Sequence, residues 1–231
     1  MYINGPDLRT LEQVRAILST MQPRDVLFID EVHAIPGYVA ESLYPPMVAA
    51  RHGVPITVVG ASTKHGSLPR PFRSRFENTE RVTLYEIHDL VQIIEREISS
   101  TRPDDLTIDA IAARRLARVA RGTPRRALRL AHRARNHAVA GGRDRIDLEI
   151  VERTLEAMGI DDRGLELVEQ AYLAELRSRS RPIALERLAR LIEVDPVVLR
   201  DEHEPWLLKL GLIEVTPFGR RAIWTPRLSH R

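Results

Sequence analysis

The stretch Asp25–His33, DVLFIDEVH, decides the fold of the N-terminal part of the chain. It is a short apolar run that ends in two adjacent carboxylates, and such a run is typical of a strand buried on both faces of a parallel sheet. Ligands bind at the carboxyl ends of strands in open α/β sheets, where Asp30 and Glu31 would lie. In a nucleotide hydrolase the first acid holds Mg²⁺ and the second activates water. The alternative is a charged strand-to-helix junction without chemistry.

The composition excludes several classes of protein. The 231 residues contain no cysteine, so disulfides and thiolate metal sites are excluded. No run of eighteen apolar residues predicts a membrane span, and the first residues lack the pattern of a signal peptide. We therefore expect a cytoplasmic protein with no membrane partner.

Arginine dominates the basic residues, and only Lys64 and Lys209 are lysine. The net charge is +3, and residues 112–135 contain nine arginines and no acid. This arginine block predicts a surface that faces a polyanion. Genome base composition and a solvated helix are the alternative explanations.

The pattern divides the chain into three predicted domains, at residues 1–84, 85–163 and 164–231. In the first, a helical stripe at 8–18 is followed by VLFI, then a short helix in GYVAESLYPPM closed by Pro45-Pro46, and further strands in PITVVGAST and RVTLY. Strands that alternate with helices indicate a parallel α/β sheet.

The second domain is predicted to contain about four helices, with Gly122 ending one and Pro124 fitting the first position of the next. In the third, helices at 184–194 and 196–210, the latter kinked at Pro205, precede short strands in LIEV and AIWT. Helix, turn, helix and a two-stranded wing indicate a winged-helix domain, which serves DNA binding or, alternatively, protein contacts.

Polar residues follow the predicted acid pair in a fixed order. Ser62 and Thr63 end the next strand, where a hydroxyl can contact a terminal phosphate or only cap a turn. Arg75 lies in a loop and Arg125 begins a helix. Each could reach a phosphate, although a lone arginine is usually just solvated.

This order resembles the AAA+ ATPases, and within them the RuvB family, the motor of Holliday-junction branch migration. The resemblance covers nearly the whole chain and is carried by DVLFIDEVH, LYPPM, GASTKHGSLPRPFRSRF, ARGTPRRALRL and EPWLLKLGLIEVTPFGRRA. It implies a fold that is α/β plus all-α, with a partial AAA+ P-loop ATPase sheet, a helical lid domain and a C-terminal winged-helix domain. It also implies ATP and Mg²⁺ as cofactors, and DNA, as a four-way junction or duplex, together with a homo-oligomeric ring, as partners.

The resemblance assigns roles to residues at matching positions. Asp30 and Glu31 resemble the Walker B pair, with Asp30 as the Mg²⁺ residue. Ser62, with Thr63 beside it, resembles sensor 1, and Arg75 resembles the arginine finger. Arg125, with Pro124, resembles the sensor 2 arginine that contacts the nucleotide. Arg220 and Arg221, near the wing turn, match the DNA-binding residues.

The sequence departs from the family in two places. No Gly-Lys pair exists, so the G-x-x-x-x-G-K-[ST] loop that cradles phosphates is missing, and we expect a chain truncated at its N-terminus that does not turn over ATP alone. VAARHGVP, Val48 to Pro55, is too short for the family's hairpin that docks on RuvA, so that docking is not expected. The alternatives are a non-catalytic DNA-binding or regulatory protein, or an inactive subunit that donates Arg75 to a neighbour. We expect removal of the residues after Gly164 to weaken DNA binding.

Overall fold

The computed structural model describes residues 1–48, 56–100 and 106–223. The chain divides into two compact units, Met1–Val82 and Thr83–Arg231. The sequence predicts that Val48–Pro55 is too short for the RuvA-docking hairpin. All residues of this segment after Val48 lie outside the described residues. No helix in the described ranges is long and apolar enough to cross a membrane.

The first unit is built on a parallel three-stranded sheet. The strands are β1 (Tyr2–Asn4), β2 (Val26–Asp30) and β3 (Thr57–Gly60), with β2 in the middle. Around them lie four short helices, α1 (Leu11–Thr20), α2 (Gly37–Glu41), α3 (Tyr44–Val48) and α4 (Arg70–Arg73). The capping box of Thr10 and Gln13 fixes the start of α1 because each side chain satisfies a backbone N–H of the other.

The two faces of β2 are unequal, so the expectation of burial on both faces is wrong. Leu27 and Ile29 are 1% and 0% exposed, and they belong to the same core cluster as Val14 of α1. On the opposite face Val26 of β2 and Val59 of β3, which pairs with Phe28, remain 46% and 39% exposed. Side chains alternate between the faces of a strand, and the helices cover the face with Leu27.

Two further expectations about this unit are wrong. Pro45-Pro46 do not close a helix; they lie in the first turn of α3. Proline is tolerated there because a first-turn N–H has no partner within the helix anyway. RVTLY is not a strand, and Val82 in it is 89% exposed. A strand needs a neighbouring backbone, and in the described structure the N–H of Tyr85 donates to the carbonyl of Gly122 instead (2.9 Å).

The second unit begins with four helices, as predicted. They are α5 (Ile87–Ser100), α6 (Ala110–Val119), α7 (Pro124–Ala140) and α8 (Leu148–Ala157), joined by a parallel pair of two-residue strands, β4 (Thr107–Ile108) and β5 (Arg145–Ile146). Their apolar faces form one core cluster. The α6–α7 turn requires Gly122, because its φ is +74° and a Cβ would lie 2.6 Å from the Cβ of Leu84.

The C-terminal part of this unit has the predicted winged-helix arrangement. Its elements are α9 (Leu167–Arg177), α10 (Leu185–Leu191), α11 (Pro196–Val198), a π-helical segment at Leu199–His203, α12 (Glu204–Lys209), β6 (Ile213–Thr216) and β7 (Gly219–Ala222). The predicted irregularity at Pro205 takes the form of this π segment, in which the N–H of Glu204 reaches the carbonyl of Leu199. The second described strand is Gly219–Ala222, whereas AIWT was predicted, and Trp224 and Thr225 of that stretch lie outside the described residues. Two backbone hydrogen bonds between Ile183 and Arg220 hold Gly219–Ala222 in place as this strand.

Candidate functional site

The acid pair lies at the end of β2, where the chain turns sharply. Both carboxylate oxygens of Asp30 accept hydrogen bonds, from the hydroxyl of Tyr2 (3.0 Å) and from the N–H of Glu31 (2.9 Å). The bond to this carboxylate raises the pKa of Tyr2. Glu31 itself has a φ of +47°, which is uncommon for a residue with a side chain. Such a conformation persists only where the surroundings enforce it.

Gly5 is one of the surroundings that enforce this turn. A Cβ at residue 5 would lie 2.4 Å from the carbonyl oxygen of Glu31 and 3.0 Å from that of Asp30. Only glycine permits the backbone after β1 to approach the acid pair this closely.

A cluster of polar side chains surrounds the carboxylate of Glu31. Its Oε2 accepts a hydrogen bond from the hydroxyl of Thr63 (3.0 Å) and lies 3.1 Å from Nδ1 of His33. The same His33 nitrogen is 3.0 Å from the hydroxyl oxygen of Ser62. The N–H of Val32 donates to the carbonyl of Ala61 (2.9 Å), and the N–H of Ala61 donates to the carbonyl of Ile29 (2.9 Å), which holds the two strand ends together. The structure therefore brings together Asp30, Glu31, Ser62 and Thr63, as the sequence predicted, and adds His33.

Arg75 lies just beyond α4 and is exposed. Its guanidinium carbon is 5.2 Å from the centroid of the Tyr44 ring, in a cation–π geometry. The following residue, Phe76, packs edge-to-face on Phe72 at 5.3 Å, which anchors the loop. Arg75 is thus presented on a fixed backbone with its charge open to solvent.

Pro124 and Arg125 form the first turn of α7 in the second unit. Arg125 is exposed and lines a cleft of ≈ 480 Å³ together with Thr123, Arg129, Trp206 and Lys209. An exposed arginine at a helix N-terminus reinforces the positive end of the helix dipole. The basic residues of the lining outnumber its two acids, Asp201 and Glu202, so the cleft suits an anion.

Both β7 arginines lie within the strand, close after the wing turn near which the sequence predicts them. The bond to Glu204, which is 3% exposed, raises the pKa of Arg220, and Nε of Arg220 lies 2.8 Å from that carboxylate. Arg221 is more exposed and pairs with Glu214 of β6. The turn itself carries Phe218, which is 83% exposed.

The second unit contains a buried ionic network that was not predicted from the sequence. Glu169 of α9 is fully buried, and its carboxylate accepts from Nη1 of Arg121 (2.7 Å) and from the N–H of Glu166 (2.8 Å), and lies 3.2 Å from Nδ1 of His203. Burial alone would raise the pKa of Glu169, but the bonds from Arg121 and the Glu166 backbone outweigh it and lower the pKa. Arg126 pairs with Glu166 beside it.

One signal in the sequence pointed to this network. Glu169 lies three and four residues before Tyr172 and Leu173, on the apolar stripe of α9. An acid on such a stripe needs a buried cation. Nothing in the sequence indicates which arginine supplies it.

A magnesium ion fits the acid pair in its donor chemistry. Mg²⁺ is usually held by one or two carboxylates together with waters and substrate phosphates, and Asp30 and Glu31 supply hard oxygen ligands. Within the described ranges, no group of three or more histidines, cysteines and acids forms a complete protein cage for a metal. For ATP the fit is partial, because the sequence contains no Gly-Lys pair to cradle the phosphates.

Three protein-family models match the chain. They are the Holliday junction DNA helicase RuvB P-loop domain at residues 2–56, the RuvB AAA lid domain at 85–161 and the RuvB C-terminal winged helix domain at 162–225. The matches confirm the predicted fold class.

Individual proteins agree with these matches. The chain is 36% identical to the Holliday junction branch migration complex subunit RuvB of Anaeromyxobacter sp. (strain Fw109-5), over 98% of this chain and 70% of that protein. It is similar to the Thermotoga maritima RuvB Holliday junction branch migration motor, with 36% identity and a TM-score of 0.82, over 96% of this chain and 74% of that one. The Aeropyrum pernix ORC2 protein is similar in fold alone, with 18% identity and a TM-score of 0.53, over 96% of this chain and 73% of that one.

Proposed function

Because the chain belongs to the RuvB family, we propose that it is a subunit of an ATP-driven motor that moves DNA in Holliday junction branch migration. One observation carries the proposal. The Glu31 carboxylate, at the end of β2, is held by the Thr63 hydroxyl from the neighbouring strand end. We further propose that residues 1–84, 85–163 and 164–231 are its ATPase, lid and DNA-binding parts, that a form with the phosphate loop works as a homo-oligomeric ring, and that the protein acts in the cytoplasm.

Each residue of the acid pair has its own task in this proposal. When bound, ATP would supply the phosphoanhydride bond that is cleaved, and Mg²⁺ would supply the positive charge that neutralises the phosphates. Asp30 offers the metal its carboxylate, and the bonds from Tyr2 and the Glu31 backbone fix the orientation of that group. With a phosphate loop to hold the ATP, Glu31 would accept a proton from the attacking water. The hydroxyl of Thr63 orients the Glu31 carboxylate, and His33 lies between Glu31 and Ser62 at about 3 Å from each.

The arginines complete the proposed machinery. Arg75, exposed beyond α4, reaches the nucleotide of a neighbouring subunit and stabilises charge there. Arg125, with Pro124 before it, contacts the nucleotide from the lid. Of the β7 pair, Arg221 faces DNA, since Arg220 is engaged with buried Glu204.

Because the sequence contains no Gly-Lys pair, we propose that this polypeptide alone does not hydrolyse ATP. A phosphate assay with Mg²⁺ checks this directly. Robust turnover that Glu31→Gln abolishes would contradict it.

Complementation of a neighbouring subunit tests the motor role. The chain is mixed with a RuvB-family protein that has an intact phosphate loop but an alanine in place of its own finger arginine. We expect ATP hydrolysis to rise on mixing, because Arg75 is supplied in trans, by up to the 10³–10⁵-fold typical of such fingers. Arg75→Ala should remove the effect. Glu31→Gln should not, since Glu31 serves the nucleotide of its own subunit.

The matched control is Arg70→Ala, which removes an exposed arginine of α4, the short helix just before Arg75, and should leave the stimulation intact. Equal stimulation by the Arg75→Ala chain would refute the finger assignment.

A non-catalytic DNA-binding or regulatory role is the second candidate, favoured by the missing Gly-Lys pair. It predicts salt-dependent DNA binding without any stimulation of a partner ATPase. Complementation that depends on Arg75 excludes it.

A further inference from the structure

A cleft of ≈ 480 Å³ lies between the end of α9 and the start of α10. It is lined by the connecting segment 178–184 and by Arg187 of α10. We propose that this cleft binds the phosphate backbone of DNA through Arg181 and Arg187. The inference rests on the proposed function and adds a phosphate contact to the one proposed for Arg221 of β7.

The arginines of the winged-helix part differ in whether an acid already neutralises their charge. In the winged-helix part Arg220 pairs with Glu204, Arg221 with Glu214 and Arg200 with Asp201. Arg181 and Arg187 are exposed and have no ion pair with a described residue. Counterion release favours phosphate contacts made by charges that are not already neutralised.

Arg179, in the wall of the same cleft, differs from these two. It pairs with Glu175 one turn earlier on α9, so its charge is balanced. The hydroxyl of Ser178 also donates to the backbone of Glu175 (2.8 Å). This wall is therefore held by internal bonds, and Arg181 and Arg187 supply the net charge.

The cleft is fixed to the wing by backbone bonds. The N–H of Ile183 donates to the carbonyl of Arg220 (3.0 Å), and the N–H of Arg220 donates to the carbonyl of Ile183 (2.8 Å). A Cβ at Gly219 would lie 2.3 Å from the Ile183 oxygen, so the wing requires glycine there to approach the segment. The wing strand β7 therefore lies directly beside the connecting segment that lines the cleft.

The lining points to the phosphate backbone and not to bases. The apolar residues of the cleft are Pro182, Ile183 and Ala184, and its lining contains no aromatic ring on which a base could stack. Phosphate contacts carry no sequence information. A motor that moves along DNA of any sequence needs that property.

The test measures binding of a labelled four-way junction and a labelled duplex by fluorescence anisotropy from 50 to 200 mM salt. The slope of log K against log salt is negative. Arg181→Ala/Arg187→Ala should make it shallower by about 1.8, since each lost phosphate contact removes about 0.9 from its magnitude. From 50 to 200 mM salt, the factor by which the variant loses affinity should therefore be about 12 times smaller than the factor for the unmodified chain. Arg181→Lys/Arg187→Lys should keep the slope, because the charge is retained.

The matched control is Arg15→Ala/Arg96→Ala, which removes two exposed helical arginines outside both the cleft and the 112–135 block. Its slope should equal that of the unmodified chain. An unchanged slope in the Arg181/Arg187 alanine variant, or a loss in the control instead, overturns the inference and leaves the proposed function standing. A lysine variant as weak as the alanine variant also overturns it, since that indicates a structural defect. If the unmodified chain binds neither DNA at 50 mM salt, the proposed function itself fails.

Discussion

Replacement of Glu169 by alanine should be among the most damaging single changes in the second unit. The carboxylate is fully buried and accepts bonds from Arg121 and from the N–H of Glu166. Without it the guanidinium of Arg121, whose side chain is only 11% exposed, retains the carbonyl of Gly164 and the face of the Trp206 ring. Neither partner carries a compensating negative charge.

The size of the effect follows from this burial. Removing one partner of a buried ion pair costs about 3–5 kcal/mol, because the other charge remains desolvated. In a unit of this size 1 kcal/mol changes Tm by about 2–4 °C, so Glu169→Ala should lower Tm by roughly 6–20 °C.

Differential scanning calorimetry on the whole chain measures the shift, and Glu149→Ala is the matched control. Glu149 is also helical, but it is 63% exposed, and its partners Arg143 and Arg153 lie 3.6 and 3.9 Å away. Exposed pairs contribute about 0–1 kcal/mol, so the control should change Tm by a few degrees at most. Equal Tm values for the two variants would refute the reasoning.

The same carboxylate predicts a pH dependence. Its pKa is lowered from the ordinary 4.5 in the folded chain. Its stabilising contribution is therefore fully present above pH 4.5 and is lost as the pH falls through the lower folded value. The difference in Tm between the unmodified chain and Glu169→Gln should narrow on acidification below pH 4.5, and a difference that stays constant down to pH 3 would contradict this assignment.

Two further predictions concern stability. Gly5→Ala should destabilise the first unit by about 1–3 kcal/mol in urea unfolding, because its Cβ collides with the Glu31 carbonyl, whereas Gly37→Ala, with nothing within 4 Å, should not. Arg220→Met should cost about 3–5 kcal/mol by leaving a buried carboxylate unpaired, and Arg221→Met under about 1 kcal/mol. Equal losses for the two arginine variants would mean that the burial difference has no energetic consequence.

Local signals in the sequence were sufficient for the helical part of the fold. The amphipathic spacing of α5 to α8, with Gly122 and Pro124 between α6 and α7, fixes four helices without knowledge of their partners. The acid pair could be predicted for a similar reason. A strand end is set by the local apolar run, and parallel strands bring their carboxyl ends together, so Glu31 and Thr63 meet.

The errors came from features that depend on a partner distant in the chain. RVTLY has the residues of a strand but no described strand beside it. The second wing strand is shifted to Gly219–Ala222 because Ile183, far earlier in sequence, pairs with its backbone. Hydrophobic pattern reports which residues suit a strand, whereas register depends on the neighbour that they find.

The arginine block shows why counting charges overestimates a DNA surface. Arg121 and Arg126, within residues 112–135, are turned toward Glu169 and Glu166 and are mostly buried. Deletion of the chain after Gly164 would remove both acids and leave two unpaired guanidinium groups on the remaining part. Such a fragment would gain an artificial anion site, so its DNA binding would not report on the native block. Point substitutions at exposed, unpaired arginines keep the network intact, and they are the sharper way to separate the block from the winged-helix surface.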